Sequence, residues 1–319
     1  MTWNGYRFQR VILKKNRLSK WKAHGAVLLA NLFFGINFSS VKYVTGNVMG
    51  PFGLNVIRVG VTTSLLWSLA LFSKGNKGIR KNDILRFMGC ALTGILINQS
   101  FFIKGLSMTL SIHASLLILI TPVFISIAAV WSGSEPMSLS KAGGLAAAIC
   151  GAIMLSLHQG QTGQASSVFW GDVFIIINAI SYSFYFVWVQ ALMRSYDPIH
   201  VIRWIFTFGL LFTLPVGWNQ FESIAWEQFS WLDYAHTIFI VIGATFLAYL
   251  FNTYGIHHIG PSATGTYIYT QPVFATVIAV LFLNESYGWY QLLATALIVS
   301  GVLLVNKWPS GKKQETRIR

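Results

Sequence analysis

Apolar stretches of about twenty residues alternate with short polar connections from residue 25 to the C-terminal tail. A helix needs about 20 apolar residues to cross the hydrocarbon core of a bilayer. The connections contain Gly, Pro, Asn or Asp, which end helices. The pattern predicts ten transmembrane helices, at residues 25–44, 52–73, 84–106, 109–132, 139–157, 171–193, 199–219, 235–257, 261–283 and 288–306.

Composition supports an all-α integral membrane protein. Only 10% of the 319 residues are charged and 54% are hydrophobic, whereas soluble domains carry about 25% charged residues. A membrane-embedded enzyme would need a buried acid–base pair or a metal cluster. The predicted helices contain no deep carboxylate and no metal-ligand spacing. We therefore expect no enzymatic activity, no cofactor and no metal site.

The placement of Lys and Arg predicts the orientation in the membrane. With ten helices and a cytoplasmic N-terminus, the inner segments hold 20 cations and the outer segments hold two, and Arg58 is left inside the second helix. Cytoplasmic segments are the ones enriched in Lys and Arg. The segments 1–22 and 307–319 are therefore predicted to be basic cytoplasmic tails that contact anionic lipid headgroups, not nucleic acid. This orientation places the protein in the cell membrane with both termini inside.

The two halves of the chain are related by an internal repeat. Shifting the sequence by 150 residues aligns Pro122-Val-Phe with Pro272-Val-Phe, and Glu135 with Glu285. The repeats are predicted to be 23–157 and 171–306, joined by a Gln/Gly/Ser-rich linker at 158–170. Each half holds five helices, an odd number, so the second half enters the membrane from the opposite side. Inverted-topology repeats of this kind are typical of secondary transporters.

The motifs in these repeats resemble those of a known family. The first helix carries Asn31-Leu-Phe-Phe-Gly-Ile-Asn37-Phe, and the fourth and ninth helices carry an apolar run, Pro-Val-Phe and then Glu. The pattern is similar to the EamA-type branch of the drug/metabolite transporter superfamily, over about residues 22–306. The resemblance implies ten helices in two repeats and the export of amino acids or other small metabolites. Phe34 stands where the family often has Trp, a mild departure.

Polar residues within the predicted helices are candidates for a solute path. Asn31, Gly35, Phe38 and Lys42 share one face of the first helix, and Asn37 lies beside it. The repeat mates of the first four residues form the same face on the sixth helix, and they are Asn178, Tyr182, Tyr185 and Val189. Two Asn-headed faces in equivalent places suit a pseudo-symmetric cavity. The alternative is that both asparagines only bond neighbouring helices.

Further polar candidates come from the third, eighth and ninth helices. They are Asn98, Gln99, Asn252, Tyr267 and Gln271. Amide and phenol groups beside aromatic rings suit a ligand with an apolar body and a few polar atoms. The alternative for the tyrosines is a place in the aromatic belts at the membrane interfaces.

Two cations lie within the predicted helices and need a partner. Lys42 and Arg58 are near the outer ends of the first and second helices. A cation in this position must snorkel to the interface, form an ion pair or bind an anionic ligand. Asp172, at the start of the sixth helix, is the best candidate partner in the sequence. If the cations are unpaired, they favour a solute that carries a carboxylate.

The repeated prolines and glutamates have structural or mechanical interpretations. Pro122 and Pro272 are predicted to lie in the middle of their helices, where each would form a kink that is static or acts as a hinge. Glu135 and Glu285 are interpreted as interfacial anchors or loop caps. Because no deep carboxylate is predicted, we expect no coupling to protons through one.

These observations lead to one functional expectation and its alternatives. We expect a secondary carrier that exports amino acids or related amphipathic or carboxylate-bearing compounds by alternating access. The alternatives are an importer of a small metabolite, or of a nucleoside or sugar, on the same fold. A receptor or scaffold that carries nothing is a further alternative, but it would predict large extramembrane domains.

Overall fold

The chain is helical throughout the part that the structure describes. The computed structural model describes residues 3–71, 78–131, 138–157, 167–259, 264 and 267–305, and these ranges contain no strand. The helices are α1 (Trp3–Asn47), α2 (Pro51–Leu71), α3 (Ile84–Ala91), α4 (Asn98–Met108), α5 (Ser111–Leu117), α6 (Thr121–Trp131), α7 (Leu139–Leu157), α8 (Val168–Met193), α9 (Pro198–Glu222), α10 (Trp231–Ile238), α11 (Ala248–Ile259), α12 (Gln271–Phe282) and α13 (Trp289–Val305).

Length and composition make six of the described helical stretches long and apolar enough to cross a membrane. They are Trp21–Asn47, Pro51–Leu71, Lys81–Met108, Val168–Met193, Pro198–Glu222 and Trp231–Gly255. Four shorter apolar stretches lie at Ser111–Ile125, Ala142–Met154, Tyr267–Phe282 and Trp289–Gly301. The all-helical membrane class expected from the sequence is therefore confirmed, while the count of ten crossings stays a prediction.

Several predicted helices are not continuous α-helices. A π-helical segment, Leu92–Ile97, joins α3 to α4, and a second one, Phe239–Leu247, joins α10 to α11. A short 3-10 turn, Ile118–Ile120, precedes α6, and another, Tyr267–Thr270, precedes α12. Shifted by 150 residues, the first π-helical segment falls within the second, and the two 3-10 turns overlap. Hydrophobic periodicity does not reveal such local changes of winding.

Each of the two repeated prolines lies two residues after a 3-10 turn. Pro122 is the second residue of α6, and Pro272 lies in the first turn of α12. A proline in the first turn removes no hydrogen bond from the helix, because that N–H has no partner within the helix. Each proline begins the α-helical part of a longer helical stretch that contains the 3-10 turn, and its role as a static kink or a hinge stays a prediction.

The starts of α2 and α9 show how local sequence places these helices. Pro51 and Pro198 are the first residues of their helices, a favoured position for proline. The Asp197 side chain accepts a hydrogen bond from Ile199 N at 2.9 Å and caps α9. The N-terminus of α2 is instead capped from α9, where Gln220 Oε1 accepts from Phe52 N at 2.8 Å. A helix of the second half thus caps a helix of the first.

Packing also joins the two halves. Helix α1 packs against α11 and α12, and α8 packs in the same way against α4 and α6. The other large contacts, α2 with α9 and α7 with α13, also join the halves. Gly35 permits the close approach of α1 and α12, since a Cβ at this position would overlap Phe274. Large apolar side chains such as Leu211, Phe282 and Leu292 remain exposed, as a lipid-facing surface requires.

Candidate functional site

A cavity lies where these helices from both halves meet. Its volume is about 140 Å³, close to that of an engineered cavity of about 150 Å³ that binds benzene. Its walls combine aromatic rings with amides and one cation, and the lining residues are Phe34, Asn37, Phe38, Arg58, Asn98, Gln99, Phe102, Ile118, Thr121, Asn178, Tyr182, Tyr249, Asn252, Ile268 and Gln271. Eight of these belong to the solute path predicted from the sequence: Asn37, Arg58, Asn98, Gln99, Asn178, Tyr182, Asn252 and Gln271.

A pair of asparagines connects α4 to α8 in one wall. Asn178 Nδ2 donates to the Asn98 carbonyl at 2.7 Å, and Asn98 Nδ2 donates to the Asn178 carbonyl at 3.3 Å. Both residues are buried. The exchange cross-links the two helices, and both residues also line the cavity, so the packing and cavity interpretations of Asn178 are compatible.

Asn31 lies outside the cavity lining and hydrogen-bonds to one of the lining residues. Its Nδ2 donates to the Val27 carbonyl at 2.8 Å, and its Oδ1 accepts from Gln271 Nε2 at 2.8 Å. Asn31 is 1% exposed and is not among the lining residues. Its position fits the packing alternative, in which it orients Gln271, a residue that does line the cavity.

Two repeat-related positions also meet in the cavity lining. Gln99 and Tyr249 are 150 residues apart, and Gln99 Nε2 donates to the Tyr249 hydroxyl at 3.3 Å. Each residue closely follows one of the two π-helical segments. Such segments are frequent at functional sites because they redirect the side chains that follow. Tyr249 therefore belongs to the cavity lining, at the position that the shift of 150 residues places on Gln99.

Arg58 places a positive charge in the cavity without a carboxylate partner. Its side chain is buried, and Nε donates to Thr245 Oγ1 at 2.6 Å. Among the residues that the structure describes, no carboxylate lies within 4 Å of this guanidinium. Its Nη1 atom is buried and has no hydrogen-bond partner. An unsatisfied donor on a buried charge is costly unless a ligand supplies an acceptor.

Two amide oxygens near this charge are also unsatisfied. Asn37 Oδ1 and Gln99 Oε1 are buried and have no hydrogen-bond partner. The cavity therefore offers hydrogen-bond acceptors as well as a cationic donor. Four aromatic rings, Phe34, Phe102, Tyr182 and Tyr249, supply the remaining surface and can also attract a cation over their faces.

The end of the cavity farther from the N-terminus is closed by aromatic rings. Phe38 and Phe102 are buried and meet edge to face, with their ring centroids 5.4 Å apart. Lining residues toward the other end, such as Tyr182, Asn252 and Ile268, are only half-buried. The lining residues Phe38 and Phe102 are thus more deeply buried than Tyr182, Asn252 and Ile268.

A buried ion pair lies beyond the aromatic rings at the closed end. Lys42 Nζ is 3.1 Å from Glu285 Oε1 and donates to the Thr109 carbonyl at 3.0 Å. The same carboxylate accepts from Ser111 N at 2.9 Å and from Ile112 N at 3.0 Å, which caps α5. Lys42 thus lies outside the cavity lining, and its charge is neutralised by Glu285.

Asp172 forms a second buried contact at this end and corrects another expectation. It pairs with neither Lys42 nor Arg58, because its Oδ1 accepts from the Thr109 hydroxyl and its Oδ2 lies 3.2 Å from His113 Nδ1. Asp172 and His113 are fully buried. Asp172 is the fifth residue of α8, and Glu285 follows the last residue of α12 by three positions, so both carboxylates are buried near the ends of their helices.

The remaining candidates lie away from the cavity lining. Tyr267 is at the opposite end, where its hydroxyl is 2.8 Å from His24 Nδ1. Tyr185 is buried behind Tyr182, with ring centroids 5.5 Å apart, and its ring fills the space that a Cβ at Gly94 would need. Glu135 lies outside the described residues. Within the described ranges, no three His, Cys, Asp or Glu side chains are grouped so that they could hold a metal ion.

Comparison with known proteins identifies the family. The sequence model of the EamA-like transporter family matches residues 21–157 and again residues 169–307. The chain belongs to the EamA-like transporter family. The family predicted from the sequence motifs is therefore confirmed, and the chain is a multi-pass membrane protein of a transporter family.

Relatives of similar length agree with this assignment. An uncharacterized transporter of Archaeoglobus fulgidus is 22% identical and aligns over 89% of this chain and 96% of its own length. A probable terminal-alkyne amino-acid exporter of Streptantibioticus cattleyicolor is 25% identical over 92% and 96% of the two chains. A solved crystal structure with 16% identity superposes with a TM-score of 0.60 over 91% of this chain and 98% of its own, which shows the fold alone.

Proposed function

We propose that this EamA-like protein is a secondary carrier that exports amino acids or closely related carboxylate-bearing metabolites. The observation that carries the proposal is the buried guanidinium of Arg58, which lines the cavity and has no carboxylate partner among the described residues. Arginine binds carboxylates through paired, charge-assisted hydrogen bonds. A solute carboxylate would satisfy the donor at Nη1 that the protein leaves without a partner.

The rest of the cavity suits the other parts of an amino acid. The unsatisfied oxygens Asn37 Oδ1 and Gln99 Oε1 can accept hydrogen bonds from an ammonium group. The rings of Phe34, Phe102 and Tyr182 offer apolar surface to a side chain. Pockets for small molecules commonly combine apolar walls with a few polar groups that fix orientation. This donor and acceptor set favours a zwitterion over an uncharged sugar.

The proposed architecture has ten crossings in two inverted five-helix repeats. The two matches of the family model, at 21–157 and 169–307, support the division near the predicted linker at 158–170. The exchange of partners between halves, α1 with α11 and α12 and α8 with α4 and α6, supports a pseudo-symmetric core. In this arrangement the four shorter apolar stretches also cross the membrane, and both basic tails lie at the cytoplasmic face.

The closed end supports alternating access and suggests the state that the structure represents. Lys42, Glu285 and Asp172 close the end opposite the N-terminus, and the charge distribution assigns that end to the outside. The cavity is therefore accessible from the cytoplasm, the side from which an exporter collects its solute. A relative named as a probable amino-acid exporter, with 25% identity, supports export over import.

Counterflow in proteoliposomes tests the proposal directly. Purified protein is reconstituted in liposomes loaded with a pool of unlabelled amino acids and monocarboxylates, and labelled members are added outside one at a time. We expect accumulation of at least one labelled amino acid. Arg58→Gln should abolish it, because the neutral amide cannot balance a buried carboxylate charge.

Arg203→Gln is the matched control. Arg203 is also a buried arginine without a carboxylate within 4 Å in the described chain, but it stacks on Trp67 and does not line the cavity. It should retain carriage. Failure of every amino acid and monocarboxylate to accumulate would refute the proposed substrate class, and equal activity of Arg58→Gln and the parent would remove Arg58 from the binding site.

A further inference from the structure

The orientation of Arg58 depends on a hydroxyl group contributed by a distant helix. Arg58 lies on α2, and its Nε donates to Oγ1 of Thr245, 187 residues later in the chain. Thr245 is fully buried in the π-helical segment Phe239–Leu247. This hydrogen bond holds the Nε edge of the guanidinium and restricts rotation of its plane, while Nη1 has no hydrogen-bond partner.

Thr245 is the acceptor in its contact with Arg58. Thr245 Oγ1 donates its single proton to the Ile240 carbonyl, five residues back, at 2.7 Å. Threonines in the regular helices of this chain bond the carbonyl four residues back, as Thr63 does with Val59. A hydroxyl has one proton and two lone pairs. With its proton bound to Ile240, the hydroxyl presents only lone pairs to Arg58.

We infer that Thr245 is a positioning residue that holds Arg58 for the solute carboxylate. This inference rests on the proposed function and deepens it, because it assigns the orientation of the binding cation to one hydroxyl. Thr245 itself does not line the cavity, whereas Arg58 does. The π-helical segment therefore has a specific role, which is to bring the Thr245 hydroxyl to Nε of Arg58.

Three variants separate the hydroxyl from the volume of the side chain. Thr245→Val replaces the hydroxyl with a methyl group, and Thr245→Ser keeps the hydroxyl. Thr237→Val is the matched control, because Thr237 is buried in α10, just before the same π-helical segment, and its hydroxyl has no hydrogen-bond partner among the described residues. If replacing a buried hydroxyl with a methyl group has only a structural effect, that effect should appear in Thr237→Val as well.

The first measurement needs no solute. Phenylglyoxal, a small arginine reagent, is added to the purified protein, and mass spectrometry follows the modification of Arg58 relative to Arg203. We expect Thr245→Val to change the relative rate at Arg58 by about tenfold, the factor for losing one hydrogen bond to a charged group. Thr245→Ser and Thr237→Val should match the parent. An unchanged rate in Thr245→Val would overturn the inference.

The second measurement uses L-phenylalanine and L-phenylalaninamide as competitors of counterflow. We expect Thr245→Val to weaken inhibition by L-phenylalanine about tenfold, while inhibition by the carboxamide changes little, because only the carboxylate needs the oriented charge. Equal weakening for both compounds would overturn the positioning role. If the phenylglyoxal result holds while neither compound competes in the parent protein, the proposed substrate class fails and the contact between Thr245 and Arg58 stands.

Discussion

Glu285→Gln should open the closed end of the cavity. The Glu285 carboxylate accepts hydrogen bonds from Lys42 Nζ at 3.1 Å, Ser111 N at 2.9 Å and Ile112 N at 3.0 Å. The Glu285 side chain is 1% exposed. All three contacts join the second half of the chain to the first. Separation of the halves at this end must therefore break every one of them.

The size of the effect follows from the loss of the buried charge. Removing one partner of a buried ion pair costs about 3–5 kcal/mol, because the remaining charge is left without compensation. Glutamine keeps one acceptor oxygen, so we take the lower limit of about 3 kcal/mol. This corresponds to a shift of about a hundredfold in the ratio of closed to open protein. Lys42→Gln should produce a smaller shift, because Glu285 still caps α5 in that variant.

Thiol accessibility measures this shift. Asn37 lies in the cavity, so Asn37→Cys, with Cys90 and Cys150 replaced by alanine, reports access from the closed end. A second reporter, Ser223→Cys, lies in the exposed turn after α9 and marks the outer side of the closed end. A membrane-impermeant maleimide is added to the side from which it labels this reporter. The parent should label slowly, and addition of Glu285→Gln should speed the labelling strongly.

A surface carboxylate provides the control for this experiment. Glu227 is exposed in the segment between α9 and α10, at the same end of the molecule. Glu227→Gln should leave the labelling rate unchanged. The reasoning is refuted if Glu285→Gln folds as a monodisperse protein yet labels no faster than the parent, or if Glu227→Gln accelerates labelling equally.

Three further predictions concern packing around the cavity. Asn98→Ala and Asn178→Ala should each lower the free energy of unfolding by about 1–3 kcal/mol in thermal unfolding. Each side chain donates to the main-chain carbonyl of the other residue, which alanine keeps, so the two losses should be nearly additive; an unchanged stability in either variant would contradict these bonds. Gly35→Ala should lower the unfolding temperature, because its Cβ would overlap Phe274, and an unchanged melting curve would show that α1 and α12 separate easily. Tyr267→Phe should change solute affinity less than about twofold, since water can replace its hydrogen bond at a partly exposed site, and a large loss in counterflow would place Tyr267 in the path.

The sequence alone determined the membrane class, the approximate helices and the family. Long apolar segments need no tertiary information, because the bilayer itself dictates their length. The shift of 150 residues also anticipated structural pairs, such as Thr121 with Gln271 in the cavity lining. Eight of the predicted path residues line the cavity, since polar groups in apolar helices tend to face one another or an interior space.

Only the tertiary structure decided which charges are paired and which are free to bind. Lys42 and Arg58 looked equivalent along the chain, but Lys42 meets Glu285, 243 residues away, whereas Arg58 meets the hydroxyl of Thr245. The π-helical winding that presents Thr245 leaves no trace in hydrophobic periodicity. Pairing of buried groups depends on distances of a few ångströms between helices that are remote in sequence, and those distances are set by the packing of the whole bundle.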